Sequence, residues 1–208
     1  VEELLIGRQA LFEHLSKCFN TKKSFSMVLQ GEAGVGKTHL LNYLLNHAVR
    51  EPWVTITASC YKSKKDDPLY PWQAIMLSIS NLIASKKISV PEQTLPLAAT
   101  LFPVLAPASA VDSTNIKYPF GVDLEYDSIV SILAASSACA PLLLVFEDIQ
   151  WMDRASLNLL DQALHKISPS RVLVAATCRQ PADKNVTAFL DSAQEDHLLQ
   201  RYTLQPFT

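Results

Sequence analysis

The sequence predicts an α/β fold, in which one parallel β-sheet of about five strands carries helices on both faces, giving three layers. Three observations lead to this prediction. Short β-prone segments alternate with segments of helical periodicity along the 208 residues. The segments 141–148 and 171–177 contain continuous apolar runs, typical of strands buried on both faces. A glycine-rich segment, 31–38, directly follows the first apolar strand.

The first half of the chain predicts two strands and two helices around the glycine-rich segment. An apolar strand is expected over 24–30, after a helical stripe of apolar residues near the N-terminus. A helix is expected over 37–50, because leucines recur at helical spacing until a Glu-Pro pair ends the pattern. A second strand over 53–58 leads through a polar loop into a helix over 71–84.

The second half begins with an irregular, proline-rich insertion over 88–121, where helical periodicity weakens. Its many apolar residues argue against a solvated tether, so the chain is interpreted as a single domain over 1–208. The remaining predicted elements are helix 124–138, strand 141–148, a helix capped by Asp153, strand 171–177, a short helix 186–190 and strand 201–204.

Residues 31–38 read Gly-Glu-Ala-Gly-Val-Gly-Lys-Thr and match the phosphate-binding P-loop pattern in its strand-then-helix context. Glycines let successive backbone N–H groups curl around phosphate oxygens, and the positive end of the following helix points at the same anion. Lys37 can reach the β- and γ-phosphates, and the Thr38 hydroxyl can bind Mg²⁺. The alternative is an ordinary glycine-rich turn. The predicted phosphate-binding residues are Gly31, Glu32, Ala33, Gly34, Val35, Gly36, Lys37 and Thr38.

Glu147 and Asp148 end a buried strand, where carboxylates could hold Mg²⁺ and polarise an attacking water. Because successive side chains on a strand point to opposite sides, we expect the two acids to have different roles. An acidic turn after a core strand is the alternative interpretation.

Composition bounds the function. A content of 49% hydrophobic and 18% charged residues indicates a globular domain. The net charge is −2 and lysines form only short clusters, so we expect no nucleic-acid partner for this core. The segment 129–146 has no charged residue, but its serines and proline divide it into a helix end and a strand, so no membrane span is expected.

The cysteines are far apart and form no metal-binding pair, which indicates buried thiols in a reducing compartment. Together with the lack of a signal sequence, this predicts a cytoplasmic protein. The four are Cys18, Cys60, Cys139 and Cys178.

The segment 146–153, Phe-Glu-Asp-Ile-Gln-Trp-Met-Asp, resembles the extended Walker B motif of the STAND subgroup of AAA-type ATPases, found in LuxR-type regulators and some nucleotide cyclases. Ile6-Gly7-Arg8 is similar to the N-terminal box that lies against the adenine in that family. A Tyr-Pro-Trp segment at 70–72 and the Thr-x-Arg ending at 177–179 also look familial. The likeness extends over essentially the whole chain.

The resemblance implies an ATP or ADP cofactor with Mg²⁺. It places Thr38 and Glu147 at the metal, Asp148 at the catalytic acid position and Arg179 at the γ-phosphate sensor. The chain departs from the family in two places. Glu147 stands where many P-loop proteins carry Asp, and Leu11 stands where the adenine box usually has Glu. Trp151 and Asp153 either position the loop after the acidic strand or serve as core packing and a helix cap.

Three functions compete. The first is an ATP-binding and slowly hydrolysing switch module of a larger signalling protein. The second is a AAA-type remodeller or initiator that acts as a ring on nucleic acid or protein, and its arginine finger could be Arg154, Arg171 or Arg201. The third, a small-molecule phosphotransferase, is disfavoured because no arginine lies between Arg50 and Arg154 to clamp phosphates.

The last predicted strand ends close to Thr208, so we expect the C-terminal lid and winged-helix domain of the family to be absent from this chain. The expected partners are a nucleotide, further domains of the full-length protein and, in a nucleotide-dependent way, other copies of the chain.

Overall fold

The computed structural model describes residues 11–13, 16–17, 26–47, 53–106, 122–167 and 169–205. Five parallel strands form one sheet in the order β2-β3-β4-β1-β5. The predicted α/β class with a parallel sheet of about five strands is therefore confirmed. The strands are β1 (Ser26–Gly31), β2 (Val54–Ser59), β3 (Leu142–Glu147), β4 (Val172–Arg179) and β5 (Gln200–Thr203).

Helices follow the strands and cover both faces of the sheet. They are α1 (Lys37–His47), α2 (Tyr70–Ala84), α3 (Leu95–Leu101), α4 (Val122–Cys139), α5 (Arg154–Lys166) and α6 (Lys184–Glu195). Short 3-10 turns occur at Lys62–Lys64, Glu92–Thr94, Pro103–Leu105 and Ile149–Trp151.

The predicted boundaries hold to within a few residues except at α6, which is longer than the segment 186–190 expected from the sequence. Its polar outer face hides the helical pattern, while Val186, Leu190 and Ala193 form the buried stripe. Asp183 caps its first turn by accepting a hydrogen bond from the backbone N–H of Asn185.

Alternation along the central strands divides the core between the two faces. Leu144 and Phe146 of β3 point into a large cluster with α2 to α6, whereas Leu143 and Val145 point to the face covered by α1. All four are buried. β3 is thus a strand that is buried on both faces, as its continuous apolar run predicts.

The insertion 88–121 is irregular and partly helical where the structure describes it, up to residue 106. Ala98, Phe102 and Leu105 are buried in the same cluster as α2, so this stretch packs on the main core rather than acting as a tether. The rest of the insertion, 107–121, lies outside the described residues.

The strand order positions the candidate site. β4 lies between β1, which leads into the glycine-rich loop, and β3, which ends in the acids. Because all strands are parallel, their C-terminal ends meet at one edge of the sheet. In the register, Gly31 is opposite Arg179, and Phe146 is opposite Ala176.

Within the described residues, no helix is long and apolar enough to cross a membrane. Cys60 and Cys178 are buried as expected, but Cys139 is exposed because it is the last residue of α4. Cys18 lies outside the described residues.

Candidate nucleotide-binding site

The loop after β1 depends on glycine. Gly34 and Gly36 have φ values of +83° and +85°, in the left-handed region that side chains disfavour. Gly31 has φ +152°, and a Cβ there would lie 2.6 Å from the carbonyl oxygen of Leu204. The conformation of the loop therefore requires glycine at these three positions of the sequence.

Lys37 begins α1 and folds back over the loop. Its Nζ donates hydrogen bonds to the carbonyl oxygens of Gly31 at 3.0 Å and Glu32 at 2.7 Å. Burial lowers the pKa of Lys37, the nearby Arg179 lowers it further, and the negative charge of Asp148 partly opposes both. The ammonium group is thus a desolvated cation at the centre of the loop, next to one carboxylate.

The other loop residues divide by burial. Val35 packs into the core beneath the loop, whereas Glu32, Ala33 and Gly34 are exposed, as is Thr38 in the first turn of α1. The exposed residues present the loop to solvent, where a ligand could reach it.

Glu147 and Asp148 adopt different backbone conformations. Glu147 ends β3, and its Oε2 accepts a hydrogen bond from Ser59 Oγ at 2.9 Å. Asp148 has left the strand, with φ +56° and ψ +48°, and its backbone N–H donates to Thr177 Oγ1 at 3.0 Å. The alternation predicted for the two acids therefore does not apply to this pair, because Asp148 lies in a left-handed turn that orients its side chain independently of β3.

Arg179, the last residue of β4, forms a two-point ion pair with Asp148. Its Nε and Nη2 each lie 3.2 Å from one carboxylate oxygen of Asp148. The Arg179 side chain is half exposed, so this pair is screened by solvent. The backbone N–H of Arg179 donates to Gln150 Oε1 at 2.8 Å.

Asp153 is both a helix cap and an anchor for a loop. It accepts a hydrogen bond at Oδ1 from the backbone N–H of Ser156, in the first turn of α5, at 2.8 Å. The same oxygen accepts from the backbone N–H of Leu69 at 3.1 Å, which fixes the end of the loop after β2. Trp151 is half-buried against the main core, and Lys62 Nζ lies 5.5 Å from its ring centre. The structure therefore shows the second interpretation, with Trp151 packed on the core and Asp153 as a helix cap, and adds a contact of Asp153 to the loop after β2.

The structure brings the predicted Lys37, Asp148 and Arg179 within electrostatic reach of one another. Ile6, Gly7 and Arg8 lie outside the described residues. Sequence reasoning missed the contacts of Ser59 and Gln150. Ser59 could have been found as the polar residue that ends β2 at the same sheet edge.

A glycine-dependent phosphate loop after β1, acids at the end of β3 and a strand inserted between them define the class of P-loop nucleotide-binding proteins. The sequence also matches the family model described as the AAA ATPase domain over residues 4–175. The chain therefore belongs to the AAA ATPase domain family, which confirms the resemblance to AAA-type ATPases. No curated protein matches the chain.

Similar solved structures have low sequence identity. A DNA polymerase III gamma subunit-related protein from Thermotoga maritima is 11% identical, with a TM-score of 0.45 over 95% of this chain and 46% of its own. A DNA replication initiation factor is 10% identical, with a TM-score of 0.45 over 99% of this chain and 47% of its own.

A STAND protein with a tetratricopeptide repeat sensor from Pyrococcus horikoshii is 11% identical, with a TM-score of 0.45 over 97% of this chain and 23% of its own. The chain thus spans less than half the length of each of these three proteins.

Proposed function

We propose that this single domain binds ATP with Mg²⁺ and hydrolyses it slowly, as a nucleotide-dependent switch within a larger regulatory protein. One observation carries the proposal: three charged side chains meet at one edge of the sheet. Lys37 Nζ donates to the Gly31 carbonyl oxygen at 3.0 Å, Gly31 is opposite Arg179 in the strand register, and the Arg179 guanidinium binds Asp148 at 3.2 Å. A cation in a glycine loop, a carboxylate and a guanidinium at one edge are the groups that phosphoryl transfer requires.

The loop supplies the phosphate site. Its backbone N–H groups and the N-terminus of α1 favour an anion at the loop. The Lys37 ammonium is buried and bonded only to carbonyl oxygens, so a phosphate oxygen would offer it a better, fully charged partner. Phosphate binding would therefore raise the depressed pKa of Lys37 towards its ordinary value.

The oxygen groups present suit Mg²⁺ shared with a nucleotide. Among the described residues, no cluster of three or more His, Cys, Asp or Glu side chains could hold a metal alone. Mg²⁺ usually takes one or two carboxylates, with phosphates and waters completing its shell. Thr38 and Glu147 would provide the hydroxyl and carboxylate oxygens, and the bound ion would neutralise charge on the phosphates.

Asp148 is the proposed base that accepts a proton from the attacking water. In this structure both of its carboxylate oxygens accept hydrogen bonds from Arg179, so the oxygens that would bind an attacking water are already engaged. Transfer of the guanidinium to the γ-phosphate would release Asp148 only when ATP is present. Exchange of this half-exposed, weak ion pair would make turnover depend on ATP, whereas the slow rate that we expect rests on the resemblance of 146–153 to the STAND motif.

The switch role rests on the likeness of 146–153 to the STAND motif and on the AAA family match. ATP and ADP differ in the γ-phosphate, so Arg179 would contact Asp148 in one state and the nucleotide in the other. Other domains of the full-length chain, or further copies of this one, would sense that difference.

The proposal is tested by measuring the rate of phosphate release at saturating Mg²⁺ and ATP in variants of the two acidic residues, Asp148 and Glu147. Asp148→Asn keeps a residue that tolerates the left-handed turn but cannot act as a base, so we expect turnover to fall by about 10²–10⁴-fold with ATP binding retained. Glu147→Gln should instead weaken Mg²⁺-dependent ATP binding. Equal loss in both variants, with the same Mg²⁺ dependence, would contradict these roles.

A further inference from the structure

We propose that Gln150 is a positioning residue: it fixes the backbone of Arg179, so that the guanidinium is aimed at Asp148 and at the proposed nucleotide site. The inference rests on the proposed function, because it assigns Arg179 to the phosphate. It concerns a residue that does not itself touch the nucleotide.

The ends of β3 and β4 are joined by side chains. The regular pairing of the two strands ends at Phe146 opposite Ala176. Beyond that point, the backbone N–H of Asp148 donates to Thr177 Oγ1 at 3.0 Å and the backbone N–H of Arg179 donates to Gln150 Oε1 at 2.8 Å. These two bonds replace the regular β-ladder at the point where Asp148 and Arg179 leave the sheet.

Arg179 is consequently held at both of its ends by one short turn. Gln150 binds its backbone, and Asp148, two residues earlier, binds its guanidinium. The guanidinium contact is partly exposed and weak, whereas the Gln150 side chain is buried, with 4% of its surface accessible. The guanidinium group of Arg179 can thus exchange one partner for another while the backbone of the residue stays in place.

Stability alone does not explain a glutamine at position 150. Its Oε1 satisfies the N–H of Arg179, but its Nε2 is buried and has no hydrogen-bond partner among the described residues. A buried donor without a partner offsets the benefit of a single hydrogen bond. A methionine would remove this unpaired donor but leave the Arg179 N–H without its acceptor, so glutamine has little net advantage for stability. The glutamine is therefore better explained by the arginine that it orients.

The first test uses the nucleotide-free protein, so it does not depend on ATP binding. The NMR signal of the Arg179 Nε–H group reports its bond to Asp148 through the rate of exchange with water. In Gln150→Met we expect exchange about two- to fivefold faster, the range for a partly exposed ion pair. Gln150→Glu keeps an acceptor oxygen, whether ionised or protonated, and should restore the slower rate.

Tyr126→Phe is the matched control. It removes another hydrogen bond, a partly buried one near the start of α5, from the Tyr126 hydroxyl to the Ala155 carbonyl oxygen at 3.2 Å. Tyr126→Phe should lower the free energy of unfolding but leave the exchange rate of the Arg179 Nε–H unchanged. If Gln150→Met acted only by loosening α5, Tyr126→Phe would speed that exchange as well.

The second test is steady-state phosphate release. Gln150→Met should lower kcat by about 10- to 100-fold, the range for a misplaced catalytic group, with KM changed less than about twofold because the loop is intact. In an Arg179→Met background, Gln150→Met should have no further effect on kcat, because Gln150 acts only through that side chain.

An unchanged Arg179 exchange rate in Gln150→Met overturns the positioning role, and so does an additive loss of kcat in the double variant. Failure of the wild-type protein to bind ATP would overturn the proposed function instead. In that case the exchange measurement still decides whether Gln150 holds Arg179.

Discussion

The two halves of the candidate site are built in different ways. The loop after β1 is formed by consecutive residues, and its shape depends on the backbone angles of Gly31, Gly34 and Gly36. The ends of β3 and β4 are instead joined by side chains, through hydrogen bonds between residues 29 or 31 positions apart, such as Asp148 and Arg179. The first half is local in sequence, and the second exists only in the folded sheet.

This difference predicts that substitutions in the two halves of the site have different effects. Substitution of a loop glycine should act on the backbone and disturb folding and binding together. A substitution at the strand ends should remove one hydrogen bond and leave the sheet intact, because the regular ladder and the buried strands β3 and β4 remain.

Gly31→Ala should have the largest effect on stability. The added Cβ would collide with the Leu204 carbonyl oxygen, a backbone atom that cannot move without displacing the end of β5, and the φ value is unfavourable for alanine. We expect a loss of about 2–4 kcal/mol in the free energy of unfolding. Chemical denaturation measures it, with Ala33→Gly as a control in the same loop. A loss below about 1 kcal/mol would show that the conformation of the loop does not require glycine at position 31.

Alkaline pH should affect the strand-end half. Burial raises the pKa of Cys60 from 9.0 to about 12, and that of Cys178 from 9.0 to about 11. Because the folded-state pKa values are raised, the stabilisation is complete below pH 9.0 and declines as the pH rises towards 11–12. At about pH 10, each thiol should lower the free energy of unfolding by about 1.4 kcal/mol relative to neutral pH.

Denaturation midpoints measured from pH 8 to pH 11 would test this dependence, with wild type compared with a variant carrying Cys60→Ala and Cys178→Ala. The variant should be less stable at neutral pH but should lose less of its stability as the pH rises. Parallel curves for the two proteins would show that the thiols do not titrate as their burial requires.

Thr177→Val should have a smaller effect on stability. Valine keeps the shape of a fully buried side chain but leaves the Asp148 N–H without its acceptor. We expect a loss of about 1 kcal/mol in the free energy of unfolding, together with slower phosphate release. Thr57→Val, at an exposed position of β2, is the matched control. Unchanged turnover in Thr177→Val would mean that this bond does not hold Asp148 for catalysis.

The sequence predicted the local features well. The parallel sheet, the glycine loop, the acidic end of β3 and the cap at Asp153 each depend on residues close together in the chain. The geometry of Asp148 could not be predicted, because its left-handed turn is stabilised by Thr177 from another strand. The pairing of Ser59 with Glu147 likewise depends on β2 lying beside β3, which no local pattern specifies.

The central claim is that the glycine loop binds ATP through Lys37, and calorimetric titration with Mg²⁺ and ATP tests it most directly. Lys37→Ala removes a charged phosphate contact worth about 1.5–3 kcal/mol, so affinity should fall by roughly 10- to 150-fold. Lys87→Ala, which removes an exposed lysine after α2, should bind ATP like the wild type. Equal ATP affinity in wild type and Lys37→Ala would contradict the account.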